Sequence, residues 1–97
     1  MKMAMIIYNE ALDEEVTEVL RACCSVQNYT KIPGVFGRGS LSGIHLGTDI
    51  WPGRNNILYV ACEEMEGKKI ITAVKQLRKS LGAEGIKVFL MPIEELT

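Results

Sequence analysis

Residues 35–56 read VFGRGSLSGIHLGTDIWPGRNN and separate two apolar runs that a tight hairpin would join directly. The connection, residues 37–56, is about 20 residues long, far beyond the 2 to 5 of an ordinary hairpin, so it is more than a spacer. It differs from a flexible Gly/Ser linker because Ile44, Leu46, Ile50 and Trp51 give it apolar side chains able to dock on a surface. The run before it, SVQNYTKIPGVF (25–36), is interrupted by Pro33 and Gly34, which in a strand mark an edge, a bulge or the strand's end. The run after it, NILYVACEE (56–64), leaves neither face polar from Ile57 to Cys62 and reads as a strand.

Working outward, KMAMIIYN (2–9) is almost continuously apolar, as in a strand buried on both faces. In ALDEEVTEVLRACC (11–24), Leu12, Val16, Val19, Leu20 and Cys23 fall at helical spacing, with Asp13, Glu14 and Glu15 at the end the helix dipole favours. GKKIITAVKQLRKSLG (67–82) spaces Ile70, Val74, Leu77 and Leu81 likewise, with basic residues late and Gly82 as a stop. IKVFLM (86–91) is a last strand ended by Pro92. Strand, helix, strand, strand, helix, strand is the ferredoxin-like βαββαβ order: an α+β domain with a four-stranded antiparallel sheet and both helices on one face. The first, third and last strands are apolar on both faces, so the helix-free face is expected to be covered by another copy of the chain.

The 97 residues fit one domain, 1–97, carrying the insertion at about 37–56. Eleven Lys and Arg against twelve Asp and Glu give no field that would gather nucleic acid or an anionic membrane. No segment has the form of a signal peptide or approaches the roughly 20 apolar residues of a membrane span, and a cytoplasmic location is expected. Cys23, Cys24 and Cys62 contain no C-x-x-C pair and read as core thiols of a reducing compartment. No nucleophile, base and orienting group converge, so an enzyme is not expected. Within the insertion, Arg38 and Arg54 stand near its two ends, where they can contact an anion, and Trp51 before Pro52 suits a partner hot spot, with Ile50 and Arg54 beside it. His45 and Asp49 offer two metal ligands, short of the usual three or four unless symmetry supplies the rest.

The element order, the junction GVFGRG (34–39) and the closing IKVFLMPIEEL (86–96) resemble the PII family of trimeric nitrogen-regulatory signalling proteins and the wider PII-like superfamily. The resemblance spans nearly the whole chain. It implies a homotrimer binding an adenine nucleotide (ATP, ADP or AMP) in clefts between subunits, and a mobile T-loop, here 37–56, that relays occupancy to a protein partner. Phe36, Gly37, Arg38 and Gly39 would form the loop-base side of the cleft, and Gly85 and Lys87 the phosphate side. Gly39 stands where the family has the glutamine that helps bind 2-oxoglutarate. The phosphate-binding loop is cut to LGAEGIK (81–87), and SLSGIHLGTDIWPG (40–53) has no counterpart of the tyrosine that some members uridylylate. The alternative reading is a metal-ion-binding trimer similar to the CutA proteins, using His45 and Asp49. A third is an adaptor that docks through Ile50 and Trp51 without any ligand.

Overall fold

The computed structural model of the chain describes residues 1–39, 43–45, 54–81 and 85–97, with 38, 39, 43–45 and 81 described by backbone alone. Its elements are β1 (Lys2–Asn9), a 3-10 turn (Glu10–Leu12), α1 (Asp13–Cys24), β2 (Thr30–Val35), β3 (Gly37–Gly39), β4 (Gly43–His45), β5 (Asn55–Cys62), α2 (Glu64–Leu81) and β6 (Ile86–Pro92). Four strands form the main sheet in the order β2-β5-β1-β6, every neighbouring pair antiparallel. This is the expected ferredoxin-like architecture.

Strand period 2 sorts the side chains. Ala4, Ile6 and Tyr8 of β1, Leu58, Val60 and Cys62 of β5 and Ile86 of β6 point inward and form one cluster with Val16, Leu20 and Cys24 of α1 and Ile70, Ala73 and Val74 of α2. The intervening residues make rows across the opposite face. Met5 lies between Tyr59 and Phe89, and Ile7 between Ile57 and Lys87. Ile32 extends the second row at the edge. Within one chain β1 is therefore buried on one face and half-buried on the other.

The 3-10 turn is capped by the Asn9 side chain, which accepts from the Ala11 N–H at 2.9 Å. Helix α1 follows and stops at Ser25, whose left-handed backbone (φ 55°) lets its own N–H and that of Val26 reach the Leu20 carbonyl. Helix α2 begins at Glu64, three residues ahead of the expected start, and contains Gly67 as a buried residue. A Cβ there would stand 2.8 Å from Leu90 Cδ1, so the glycine is what lets the helix lie this close to β6.

Two expectations need correction. Cys23 is exposed, whereas Cys24 and Cys62 are buried: at the end of α1 the inward stripe runs Val16, Leu20, Cys24, and Cys23 falls one step off it. Within the insertion β3 and β4 pair as a two-stranded ribbon, Gly37 opposite His45 and Arg38 opposite Ile44. Its last two residues, Asn55 and Asn56, belong to β5, where they pair with Asn9 and Tyr8 of β1.

Candidate functional site

The antiparallel pairing brings the ends of β1 and β2 and the starts of β5 and β6 to one end of the sheet. Two backbone hydrogen bonds fasten that end: Asn9 N–H donates to the Gly85 carbonyl at 2.8 Å and Glu10 N–H to the Arg54 carbonyl at 2.9 Å. Phe36, Gly37, the backbone of Arg38 and Gly39, Arg54, Gly85 and Lys87 all gather here. They divide by edge, since the loop base leaves from edge strand β2 while Gly85 and Lys87 belong to the opposite edge, β6. Lys87 is aligned through Ile7 and Ile57 with Ile32, three strand spacings or about 14 Å away. Two strands, β5 and β1, thus separate the Lys87 edge from the β2 edge within one chain.

At the β2 edge Phe36 is 61% exposed, and the Arg54 guanidinium carbon lies 5.9 Å from the centre of its ring. This cation–π contact, worth about 0.5–1 kcal/mol at an exposed site, sets an aromatic face and a cation side by side at the mouth of the loop. Gly34 has φ +65°, and the strand register shifts between Ile32 and Val35, so of the edge, bulge or strand end that Pro33 and Gly34 signalled, the structure has a bulge in an edge strand. At the β6 edge Gly85 has φ +138°, a conformation open to glycine, and a Cβ there would press on Leu12 Cδ1 at 3.1 Å. Lys87 is exposed on the helix-free face, its ammonium 5.4 Å from the centre of the Phe89 ring.

A polar cluster under the loop base was not anticipated. The Asp13 carboxylate accepts from the Tyr8 hydroxyl (2.5 Å) and the Asn56 amide (3.3 Å), and the Lys31 ammonium straddles it, 2.8 Å from Oδ1 and 2.9 Å from Oδ2. Asn56 Oδ1 in turn accepts from the Gly34 N–H at 3.2 Å. Both roots of the insertion are thus tied to the first residue of α1. Lys31 beside it, with Tyr8 and Asn56 donating, holds the Asp13 carboxyl below its usual range against the opposing effect of burial. Burial, then the bond to Asp13, pushes the Tyr8 hydroxyl well above its ordinary value. The signal available in sequence was parity: Asn56 is in phase with Leu58 and Val60, so a strand begun two residues earlier places a buried amide that requires partners.

Burial raises the Cys24 and Cys62 thiols, as befits packing residues. Asp49, Ile50 and Trp51 lie outside the described residues, and His45 is described by backbone alone. Among the described residues no three His, Cys, Asp or Glu side chains group as metal ligands. No helix among them is long and apolar enough to cross a membrane.

Solved structures share this fold. CPII from Thiomonas intermedia K12, a nitrogen regulatory PII-like protein bound to ADP, AMP and bicarbonate, superposes with a TM-score of 0.77 at 21% identity, over 95% of this chain and 84% of that one. Its apo form gives 0.71 at 18% identity, over 95% and 87%. A PII-like signalling protein from Thermus thermophilus gives 0.64 at 17% identity, over 92% and 82%. No curated protein matches the chain by sequence. The family model described as nitrogen regulatory protein P-II matches residues 1–97, the whole chain, and the chain belongs to that family.

Proposed function

We propose that this protein is a regulatory trimer that binds an adenine nucleotide in the clefts between its subunits and relays occupancy through residues 37–56 to a protein partner. The observation that carries this reading is the division of the candidate ligand residues between opposite edges of one sheet. Gly37, Arg38 and Arg54 with Phe36 lie toward β2, and Gly85 and Lys87 lie at the start of β6, so apposing the β6 edge of one subunit to the β2 edge of the next would bring the two sets into one cleft. The chemistry suits a nucleotide: Lys87 supplies charge for phosphate, glycines let backbone N–H groups approach it, and Phe36 offers a ring for stacking. CPII, similar in fold, has been solved with ADP, AMP and bicarbonate, which makes those the first ligands to try. The protein would act in the cytoplasm as a regulator and not as a catalyst.

The deciding experiment is a thermal-shift comparison of the wild type with ATP, ADP, AMP, bicarbonate and 2-oxoglutarate. A nucleotide at about 100 times its dissociation constant adds roughly 2.7 kcal/mol to the native state, and that shift is expected to disappear in Lys87→Ala and in Arg38→Ala. Absence of a shift with every nucleotide would remove the ligand reading. Amide exchange of residues 37–56 that stays the same at saturation would remove the relay.

A further inference from the structure

Helices α1 and α2 leave a groove of about 630 Å³ between them on their solvent side, away from the sheet. Val19 and Cys23 line it from α1, one turn apart. From α2 the lining steps through Met65, Lys68 and Lys69, Thr72 and Ala73, Gln76 and Leu77, to Ser80. That stripe runs four turns, about 22 Å. The floor, Val19, Ala73 and Leu77, is apolar and recessed, and Met65, 69% exposed, is a polarisable side chain able to adapt to an incoming surface.

The charged side chains that line this groove have one sign, although Glu64 and Glu66 flank Met65 in the first turn of α2. Among the described residues, its charged lining residues are Lys68 and Lys69. Helix α2 carries five of the chain's eleven cations, Lys68, Lys69, Lys75, Arg78 and Lys79. Among the described residues the ion pairs are Arg21 with Glu18 and Lys31 with Asp13, and neither involves α2.

We propose that this groove docks an amphipathic helix of a protein partner whose polar flanks are acidic. Apolar side chains at i, i+3 or i+4 and i+7 would fill the floor, and flanking carboxylates would meet Lys68 and Lys69. The length and period of the lining match a helix of about 15 residues rather than a compact metabolite. A flat anionic bilayer fits less well, because it cannot reach the recessed floor. The groove lies on the helix side, so it stays open when the helix-free sheet face is covered, and it is independent of the ligand site at the end of the sheet.

The test uses the full chain and two fluorescein-labelled helical peptides of about 16 residues with the same leucine spacing. Glutamate fills the polar positions of one and lysine those of the other. Anisotropy is expected to show binding of the acidic peptide that weakens with salt and falls about tenfold or more in Lys68→Glu/Lys69→Glu. The same variant should now favour the basic peptide, and Thr72→Trp, which plugs the groove from an exposed position, should bind neither. Equal binding of both peptides by the wild type, or undiminished binding of the acidic one in both variants, overturns the proposal. So does failure of the acidic peptide to bind while phosphatidylglycerol vesicles do. Nucleotide thermal shifts are read on the same variants, so loss of the nucleotide reading and loss of this one register separately.

Discussion

Asp13 is the residue on which most of the loop base depends. Three groups from three strands converge on its carboxylate, separated from it by 5, 18 and 43 positions in the chain. Removing it leaves the Tyr8 hydroxyl buried without its acceptor and Lys31 without its partner, so Asp13→Ala is expected to cost about 1–3 kcal/mol in chemical denaturation. The pH dependence carries a definite sign. The folded-state pKa lies below the ordinary 3.8, so the carboxylate's contribution is present above that value and is lost as pH falls through the folded one. Wild type and Asp13→Asn should therefore differ in stability at pH 7 and converge in acid, and a difference constant from pH 7 down to pH 2 would refute this account. Local chemistry was partly legible at this scale: Pro33 and Gly34 marked an edge, a bulge or a strand end, and the structure has them at a bulge in an edge strand. The cluster was not, because Lys31 and Asp13 look like ordinary surface charges until the fold brings them together.

Among the elements, α2 shows where local propensity misleads. A glycine in a helix normally marks a boundary or a weak point, and Gly67 suggested a start, yet the helix begins at Glu64 and runs through it. The reason is tertiary, since Leu90 of β6 occupies the space a side chain would take. Gly67→Ala gains about 1 kcal/mol of helix propensity and meets an overpacking cost of about 1–3 kcal/mol. It is expected to lower the melting temperature, while the same change in a Leu90→Ala background should raise it. A gain in both backgrounds would show that β6 simply gives way. The end of α1 predicts the opposite sign. Ser25 adopts φ 55° to cap the helix, so Ser25→Gly should relieve about 1 kcal/mol of backbone strain and raise the midpoint of thermal unfolding. Strand and helix order was readable because apolar period changes sharply between segments. The β3 and β4 ribbon was not, because three-residue strands rich in glycine carry no period to detect.

For the whole molecule, the residues that face away from the helices pose a question that one chain cannot answer. Met5, Tyr59 and Phe89 form one row across the sheet and Ile32, Ile57 and Ile7 another, with Phe89 and Ile32 about 40% exposed. The sequence announced this face by its missing polar alternation, and the fold bears it out as an apolar sheet surface without a helix over it. The candidate ligand residues were legible only as separate positions, because their division between the β2 and β6 edges follows from the strand order and not from spacing along the chain. Covering the face and completing the site should then be a single event. Light scattering is expected to give three times the chain mass of 10.8 kDa for the wild type. Met5→Lys places a charge at the centre of the face, where a lone chain leaves it half in water, so the variant should remain cooperatively folded but sediment as one chain. It should also lose the nucleotide-induced thermal shift, although no residue of the proposed site has been altered. A wild type that already has the mass of one chain would remove the trimer. A monomeric Met5→Lys that still shows the full nucleotide shift would place the entire site within one chain, against the separation of about 14 Å between Lys87 and the β2 edge.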